Sequence, residues 1–291
     1  MNTIVVIAAD THSGSTTGLL TPGKWTGLDG QTWQMSKGQR VLLEQWNECW
    51  YRVKELRKKS RLVVVHNGDA IDGVHHGTTQ LITSDKEEQK RMHIAAMESG
   101  LDIAEFKKGD LLYYVYGTEM HVATAEDAIA RDFTWPDGKH YVPAVIKPSA
   151  DANYKDGRFI RDQLKLDING VIFDIAHHGF RSGNRAWTKE NSVNYACKSI
   201  YFDYVERGIK FPRYIIRSHM HEFISGIYRG KRGTIEGFIT PAFQLKTHHG
   251  HRVANEKIAD IGMLIVVVKD NGESYWECPM VSYDEIEVEK I

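Results

Sequence analysis

The sequence predicts an α/β protein that forms one domain. Short apolar runs rich in β-branched residues recur along its 291 residues, and amphipathic helical patterns separate the first three of them. Near-continuous apolar runs of this kind are typical of strands that are covered on both faces. With 42% hydrophobic residues, the chain can bury the core that one large domain needs. Residues 1–291 are therefore interpreted as a single domain with loop insertions near residues 13–36 and 132–161.

Six apolar runs are the predicted core strands. Each combines Val, Ile, Leu or Tyr, which favour extended backbone. They span residues 3–9, 62–65, 111–116, 171–176, 214–216 and 263–268. Asn169-Gly170 and Asn271-Gly272 lie between strand-like segments, and Asn-Gly pairs favour two-residue hairpin turns. The later part of the chain is therefore expected to contain more antiparallel pairs than the first part.

Three helices are predicted between the strands. The first spans residues 37–59, where the apolar side chains recur at helical spacing. The second spans residues 85–108, and Ser84 with Glu87 forms a capping-box pattern at its start. The third spans residues 187–207 and follows the fourth strand. This alternation of strand and helix is typical of α/β layering.

The composition argues against several classes of function. The 37 basic and 38 acidic residues nearly cancel, so no overall field favours nucleic acid or a membrane. A basic run at residues 54–61 is interpreted as a solvated helix face. The three cysteines, Cys49, Cys197 and Cys278, are far apart, which argues against disulfides and a thiolate zinc site and suits a reducing cytoplasm. Residues 1–10 are interpreted as a first strand rather than a signal peptide, and no apolar run approaches the ~20 residues of a membrane span.

Carboxylates and imidazoles collect where five of the predicted strands end. These segments are DTH at 10–12, HNGD at 66–69, GTEMH at 117–121, HHG at 177–179 and SHMH at 218–221. Open α/β sheets form their sites beyond the carboxyl ends of the strands, so these side chains are expected to meet. One such Asp is commonly a turn cap, and the two adjacent histidines could be one core and one exposed residue. Five coincident strand ends instead predict a metal site.

The donor types indicate the metals. Imidazole and carboxylate without thiolate suit Mn, Fe, Zn, Co or Ni. Two aspartates and three or four histidines exceed what one ion needs. Two divalent transition-metal ions that share a bridging carboxylate are therefore expected.

The order of the motifs resembles that of the calcineurin-like metallophosphoesterases. The pattern DxH, GD, G-(N)-H, H and (G)HxH runs from residue 10 to residue 221, about three quarters of the chain. The resemblance implies a four-layer α/β/β/α sandwich of two mixed sheets flanked by helices. It also implies a dinuclear centre, for which Mn is the first choice, and it assigns the ligands. They fall into two groups that share Asp69: Asp10, His12 and His221 for one ion, and His219 with either His177 or His178 for the other.

The third motif departs from the family. Thr118 stands where the family has a metal-binding asparagine, and His121 comes two residues later than the family's histidine. His121 is predicted to protonate the leaving group, with Glu119 as a substitute ligand; the alternative is that His121 is itself a ligand. Phage-encoded members are similar here and also have a His-His pair, as in His75-His76. A phage or prophage origin is therefore predicted.

Other polar residues are predicted to support the site. Asp72 either orients a ligand imidazole or caps a turn. The candidates for the wall of the substrate cleft, for each of which exposure without function is the alternative, are His75, His76, Arg181, Arg185, Lys246, His248, His249 and His251.

The expected activity is metal-dependent hydrolysis of a phosphoester. The two ions would activate a bridging water to attack phosphorus, and His121 would protonate the leaving oxygen. A phosphodiesterase or nuclease is favoured over a phosphomonoesterase, because the insertions suggest a built-up cleft. The substrate would be a nucleotide or nucleic acid, and the location the cytoplasm, that of the host if the chain is phage-encoded. The rival interpretations are a non-catalytic metal-binding scaffold of the same fold, and a single-metal lyase or oxygenase that would leave several ligands unexplained.

Overall fold

The computed structural model describes residues 1–74, 79–122, 125–133, 142, 159–180, 188–247 and 258–283. The strands in these ranges are β1 (Thr3–Ala8), β2 (Arg61–Asn67), β3 (Leu111–Val115), β4 (Ile160–Arg161), β5 (Leu164–Ile168), β6 (Val171–Ile175), β7 (Tyr214–Arg217), β8 (Ile224–Gly230), β9 (Gly233–Ile239), β10 (Ala259–Gly262), β11 (Leu264–Val268), β12 (Ser274–Glu277) and β13 (Met280–Tyr283). The helices are α1 (Lys37–Arg57), α2 (Lys86–Ile103), α3 (Glu119–Val122), α4 (Ala125–Asp132) and α5 (Lys189–Glu206).

Most strands belong to two mixed sheets. The first has the order β12-β11-β1-β2-β3-β4 and the second has the order β5-β6-β7-β9-β8. In the first sheet β1 to β4 are parallel, and β11 and β12 add antiparallel pairs at one side. In the second sheet β6, β7 and β9 are parallel between antiparallel edge strands. Strands β10 and β13 form a separate antiparallel pair.

Three apolar clusters separate four layers. Side chains alternate along β1, so Val6 faces the helices that cover the first sheet, where Trp46 and Trp50 of α1 are buried. Val5, one residue earlier, faces the second sheet and packs in the cluster that contains Phe173. A third cluster lies between the second sheet and α5. The layers are therefore helix, sheet, sheet and helix, and the predicted α/β/β/α sandwich is confirmed.

The two Asn-Gly turns differ. Asn169 and Gly170 have φ values of 51° and 85° and join β5 to β6 in the predicted two-residue turn. Asn271-Gly272 also joins two antiparallel strands, but the loop spans residues 269–273. Only Gly272 has a positive φ there, at 83°, so the prediction of a two-residue turn was wrong at this hairpin.

Helix α2 begins and ends differently from the prediction. Its N-cap is Asp85, whose side chain accepts from the backbone N of Glu87, so the Ser84–Glu87 capping box was wrong. The helix ends at Ile103, five residues before the predicted end. Glu105 adopts a φ of 55°, and the backbone N of the next residue donates to the Leu101 carbonyl 2.9 Å away. This is a Schellman ending with glutamate at the position where glycine is usual, so the sequence lacked the usual signal.

The insertion at residues 13–36 is anchored to the domain. Its Trp25, Trp33 and Met35 pack against a cluster that contains Ile82 and Met92. Ser36 and Gln39 then form a capping box at the start of α1 that the sequence analysis had not identified. Most of the second predicted insertion, residues 132–161, lies outside the described residues. Among the described helices, none combines the length and hydrophobicity that crossing a bilayer requires.

Candidate metal centre

The five polar segments meet at one end of the sandwich, beyond the carboxyl ends of parallel strands from both sheets. Nε2 of His177 lies 3.1 Å from Oδ2 of Asp69 and 3.9 Å from Oδ1 of Asp10. Nε2 of His221 lies 3.2 Å from Oδ1 of Asp10. Nδ1 of His219 lies 4.0 Å from Oδ2 of Asp69. The expected convergence of these strand ends is therefore present.

We call Asp10, His12 and His221 the first donor cluster, because their ligand atoms lie within 4.8 Å of one another. Nε2 of His12 is buried and makes no hydrogen bond to the described residues, and Oδ1 of Asp10 is buried beside another potential ligand atom, Nε2 of His221. Nε2 of His12 and Oδ1 of Asp10 are 4.0 Å apart. A buried polar atom without a partner is costly, and a divalent ion would satisfy Nε2 of His12. The donor set therefore fits a metal.

We call His177, His178 and His219 the second donor cluster, which meets the same 4.8 Å limit. Nδ1 of His177 hydrogen-bonds the carbonyl oxygen of Asn67 at 2.7 Å, which turns Nε2 toward the cluster. The His178 ring lies 4.6 Å from the His177 ring and 4.5 Å from that of His219. His177 is buried and His178 is exposed, yet both rings belong to the cluster. The geometry thus offers both histidines of the pair as ligands.

The buried carboxylates link the two clusters. Asp10, Asp69 and His177 form a further group within the same 4.8 Å limit. Burial favours the neutral form of Asp69, but the hydrogen bond from His177 and the nearby imidazole of His219 hold its pKa well below the usual range. Burial would lower the pKa of His177, but the charge of Asp10 and the Asp69 hydrogen bond raise it to about 9. Divalent ions compete with protons for such imidazoles, so metal binding would replace these protons.

The backbone is strained at the predicted ligands. A positive φ is uncommon outside glycine, and such conformations concentrate at functional sites. Eight described non-glycine residues have a positive φ. Five of them are predicted ligands, namely Asp10 (53°), His12 (41°), Asp69 (54°), His219 (73°) and His221 (51°). The fold holds these residues in conformations that local preference would not select.

Asp72 and His121 lie beside the first donor cluster. Oδ1 of Asp72 is 3.0 Å from Nδ1 of His12 and accepts from Nε2 of Gln244 at 3.2 Å. Nδ1 of His121 hydrogen-bonds the backbone oxygen of Asp72 at 2.8 Å. The rings of His12 and His121 are 4.8 Å apart. Asp72 is thus placed to orient His12, and His121 is adjacent to the centre.

The third segment places Thr118, rather than Glu119, at the centre. The hydroxyl of Thr118 donates to Oδ2 of Asp69 at 3.0 Å and lies 3.3 Å from Nδ1 of His219. Glu119 is exposed at the start of α3 and belongs to none of the described donor groups. Glu119 thus lies apart from the described donors, and its role as a substitute ligand stays a prediction of the sequence. The turn of α3 brings His121 back to the site.

Most of the predicted cleft residues lie outside the part of the chain that the structure describes. Those outside the described residues are His75, His76, Arg181, Arg185, His248, His249 and His251. Lys246 is described and is half-buried.

Three side chains that support the site were not predicted from the sequence. Nδ2 of Asn67 donates to Oγ of Ser218 at 2.7 Å and so joins the two sheets. Gln244 holds Asp72, and Glu126 accepts backbone hydrogen bonds from two site loops. Asn67 was visible as a polar residue next to the Gly-Asp motif. Gln244 and Glu126 had no such signal, because they contact Asp72 and Ala70, which are distant in the chain.

No protein-family model and no curated protein matches the chain. Among solved structures it is similar to Vps29 from Entamoeba histolytica, both a single mutant (TM-score 0.33) and the wild type complexed with Zn²⁺ (TM-score 0.34). Each is 8% identical, with 97% of this chain and 99% of that chain covered. It is also similar to the hypothetical protein PH1004 from Pyrococcus horikoshii OT3, with 10% identity and a TM-score of 0.43. That similarity covers 97% of this chain and 89% of PH1004. These similarities are too weak to support a conclusion, and the fold is assigned from the order of the strands and from the layers alone.

Proposed function

We propose that the chain is a metal-dependent phosphoester hydrolase of the calcineurin-like metallophosphoesterase type, with a dinuclear centre. The observation that carries the proposal is a pair of donor clusters linked by the buried carboxylates of Asp10 and Asp69. Their ligand atoms converge from four strand ends, and the buried Nε2 of His12 lacks a hydrogen-bond partner among the described residues. The motif order supports the same assignment.

The first donor cluster would hold one ion and the second donor cluster the other, with Asp69 shared. When bound, two divalent ions of the Mn, Fe, Zn, Co or Ni class supply positive charge to the phosphoryl oxygens and lower the pKa of a water molecule. Asp69 contributes a carboxylate that stays ionised because of its hydrogen bonds. Asp72 accepts from Nδ1 of His12 and so directs Nε2 of that ring toward the centre.

His121 is the proposed proton donor to the leaving oxygen. Its Nδ1 is fixed by the backbone oxygen of Asp72, so we assign Nε2 as the atom that passes the proton. Imidazole suits this role because it exchanges protons near neutral pH.

The proposed substrate is a phosphodiester, in a nucleotide or a nucleic acid, with a phosphomonoester as the alternative. The insertion at residues 13–36 begins beside the first donor cluster, since Asp72 N donates to Ser13 O at 3.1 Å and Leu19 N donates to Thr11 O at 2.9 Å. The insertion could therefore form a wall next to the first donor cluster, and such a wall suits a substrate that extends beyond its phosphate. A phage origin and a cytoplasmic location stay predictions of the sequence.

A non-catalytic scaffold of the same fold is the second candidate. The observation that favours it is Thr118 at the asparagine position, where a hydroxyl is a weaker metal ligand than an amide oxygen.

Turnover of a substrate panel separates the two candidates. The protein is stripped with a chelator, reloaded with Mn²⁺ and assayed on bis(4-nitrophenyl) phosphate, 4-nitrophenyl phosphate, cyclic nucleotides and single- and double-stranded DNA. We expect hydrolysis only after reloading, with diesters preferred. Protein that binds Mn²⁺ and hydrolyses none of these would be a scaffold.

A further inference from the structure

We infer that Glu126 is a positioning residue for the metal centre, because its carboxylate sets the spacing of the two loops that carry Asp69 and Thr118. The inference rests on the proposed function. Glu126 lies on α4 and does not reach the donor clusters itself. It acts through the backbone on either side of the bridging carboxylate.

The Glu126 side chain is fully buried and accepts one hydrogen bond from each loop. Oε1 accepts from the backbone N of Ala70 at 3.0 Å, directly after Asp69. Oε2 accepts from the backbone N of Gly117 at 2.8 Å, directly before Thr118. The β2–β3 ladder has ended by this point, since its last pair is Asn67 with Val115. Glu126 therefore joins the two loops where the sheet no longer does.

The spacing of these loops decides how the Asp69 carboxylate is held. The backbone N of Thr118 donates to Oδ1 of Asp69 at 2.6 Å. A Cβ at Gly117 would lie 2.2 Å from the backbone N of Asp69, so the loops are as close as a glycine permits. A small change in their separation would therefore turn or release the carboxylate that both clusters share.

A carboxylate suits this position better than its amide. Two backbone N–H groups converge on the side chain, and only a carboxylate offers an acceptor oxygen to each of them. In Glu126→Gln the amide NH₂ would face one of the two N–H donors, and that loop would lose its tether. The volume of the side chain and its helix position would be unchanged.

Asp110 provides a matched control. It is also buried, and its carboxylate accepts from the backbone N of Leu62 and of Lys107, each at 2.8 Å. These bonds lie at the opposite end of the sheet, where β2 and β3 begin. Asp110→Asn therefore weakens a similar buried clamp, and also the ion pair of Asp110 with Arg57, without touching the site loops.

The experiment measures Mn²⁺ binding by calorimetry on folded wild type, Glu126→Gln and Asp110→Asn, with thermal unfolding recorded alongside. We expect both variants to unfold at lower temperature. Only Glu126→Gln should bind Mn²⁺ more weakly, by about 10–100-fold as for other residues that position metal ligands. Equal Mn²⁺ affinity in Glu126→Gln and wild type would overturn the inference alone. Wild type that binds no Mn²⁺ would overturn the proposed function with it.

If Glu126→Gln does not fold, hydrogen exchange on the wild type tests whether Glu126 holds the two loops. Peptides that span residues 67–72 and 115–119 are followed by mass spectrometry after chelation. If Glu126 rather than the ions holds the loops, the amides of Ala70 and Gly117 stay protected without metal. Rapid exchange of both amides in the stripped protein would overturn the inference.

Discussion

Asp69 lies between the two donor clusters, and its Oδ2 approaches members of both. It is 3.8 Å from Nε2 of His12 and 3.1 Å from Nε2 of His177. One carboxylate in this position would offset the repulsion between two dications held by the clusters. His12 contacts the same carboxylate and belongs to the first donor cluster but not to the second; it also forms a group of potential ligands with Asp72 and His121.

Substitution of Asp69 and His12 should therefore have different effects on metal content. Asp69→Asn keeps the shape but removes the negative charge, so we expect loss of hydrolysis and lower occupancy of both sites. His12→Ala should weaken mainly one site and leave about one ion per chain. Metal analysis of the two purified variants, with wild type as the reference, checks this. Two retained ions and near-normal turnover in Asp69→Asn would show that the Gly-Asp motif had been assigned the wrong role.

The role of His121 is decided by comparing leaving groups. The poorer the leaving group, the more it needs a proton, and general acid catalysis contributes about 10²–10⁴-fold. His121→Ala should therefore keep both ions and lose activity mainly on an alkyl phosphodiester. On bis(4-nitrophenyl) phosphate, whose leaving group departs unprotonated, the loss should be small. If one ion is lost instead and both rates fall equally, His121 is a ligand.

At the scale of elements, helix α2 places a buried imidazole, that of His93, beside Thr11 and Tyr114. His93 is fully buried and lies 3.0 Å from both Oγ1 of Thr11 and the hydroxyl of Tyr114. Burial lowers its pKa to about 3 from the ordinary 6.5. The folded protein thus keeps this imidazole neutral where the unfolded chain would be protonated.

This difference predicts acid lability of the metal-free protein. The stability that His93 contributes is fully present above about pH 6.5 and is lost as the pH falls toward 3. The loss should be about 2 kcal/mol between pH 6.5 and pH 5. Urea unfolding of chelated protein at the two pH values measures it, with His93→Gln as the comparison, since an amide does not titrate. An equally steep loss in His93→Gln would assign the effect to other groups.

The close approach of two loops at Gly117 gives a further prediction at this scale. Gly117→Ala places a Cβ 2.2 Å from the backbone N of Asp69 and 2.4 Å from its Oδ1. The loops must separate, so we expect at least about a tenfold loss of Mn²⁺ affinity, as for other changes around metal ligands. Gly208→Ala is the control, because it also strains a loop, at a φ of 66°, but has open space around it. It should cost about 1–2 kcal/mol of stability and leave Mn²⁺ binding unchanged. Similar Mn²⁺ affinity in both variants would show that the contact at Gly117 does not govern the site.

At the scale of the whole molecule, the sequence predicted what depends on pattern along the chain. The apolar run of β1 predicted a strand that is covered on both faces. In the structure Val6 packs in the cluster under the helices, and Val5 packs in the cluster between the two sheets. The donors were recognisable because they follow strands directly. Glu126 and Gln244 were not, since their partners are brought close only by folding. Nor was the end of α2 at Ile103, because Glu105 beyond it adopts a conformation that glycine would normally signal.

Metal binding should be visible in the stability of the whole molecule. The potential donors come from the carboxyl ends of strands in both sheets, so the native arrangement would hold ions in a way that the unfolded chain cannot. At a free Mn²⁺ concentration 100-fold above Kd, one site adds about 2.7 kcal/mol. We therefore expect about two ions per purified chain, a lower melting temperature after chelation, and recovery of both stability and hydrolysis on addition of Mn²⁺. Mg²⁺ at the same concentration is the control, because imidazole donors bind it poorly. A stripped protein that keeps full activity and an unchanged melting temperature would exclude the dinuclear mechanism.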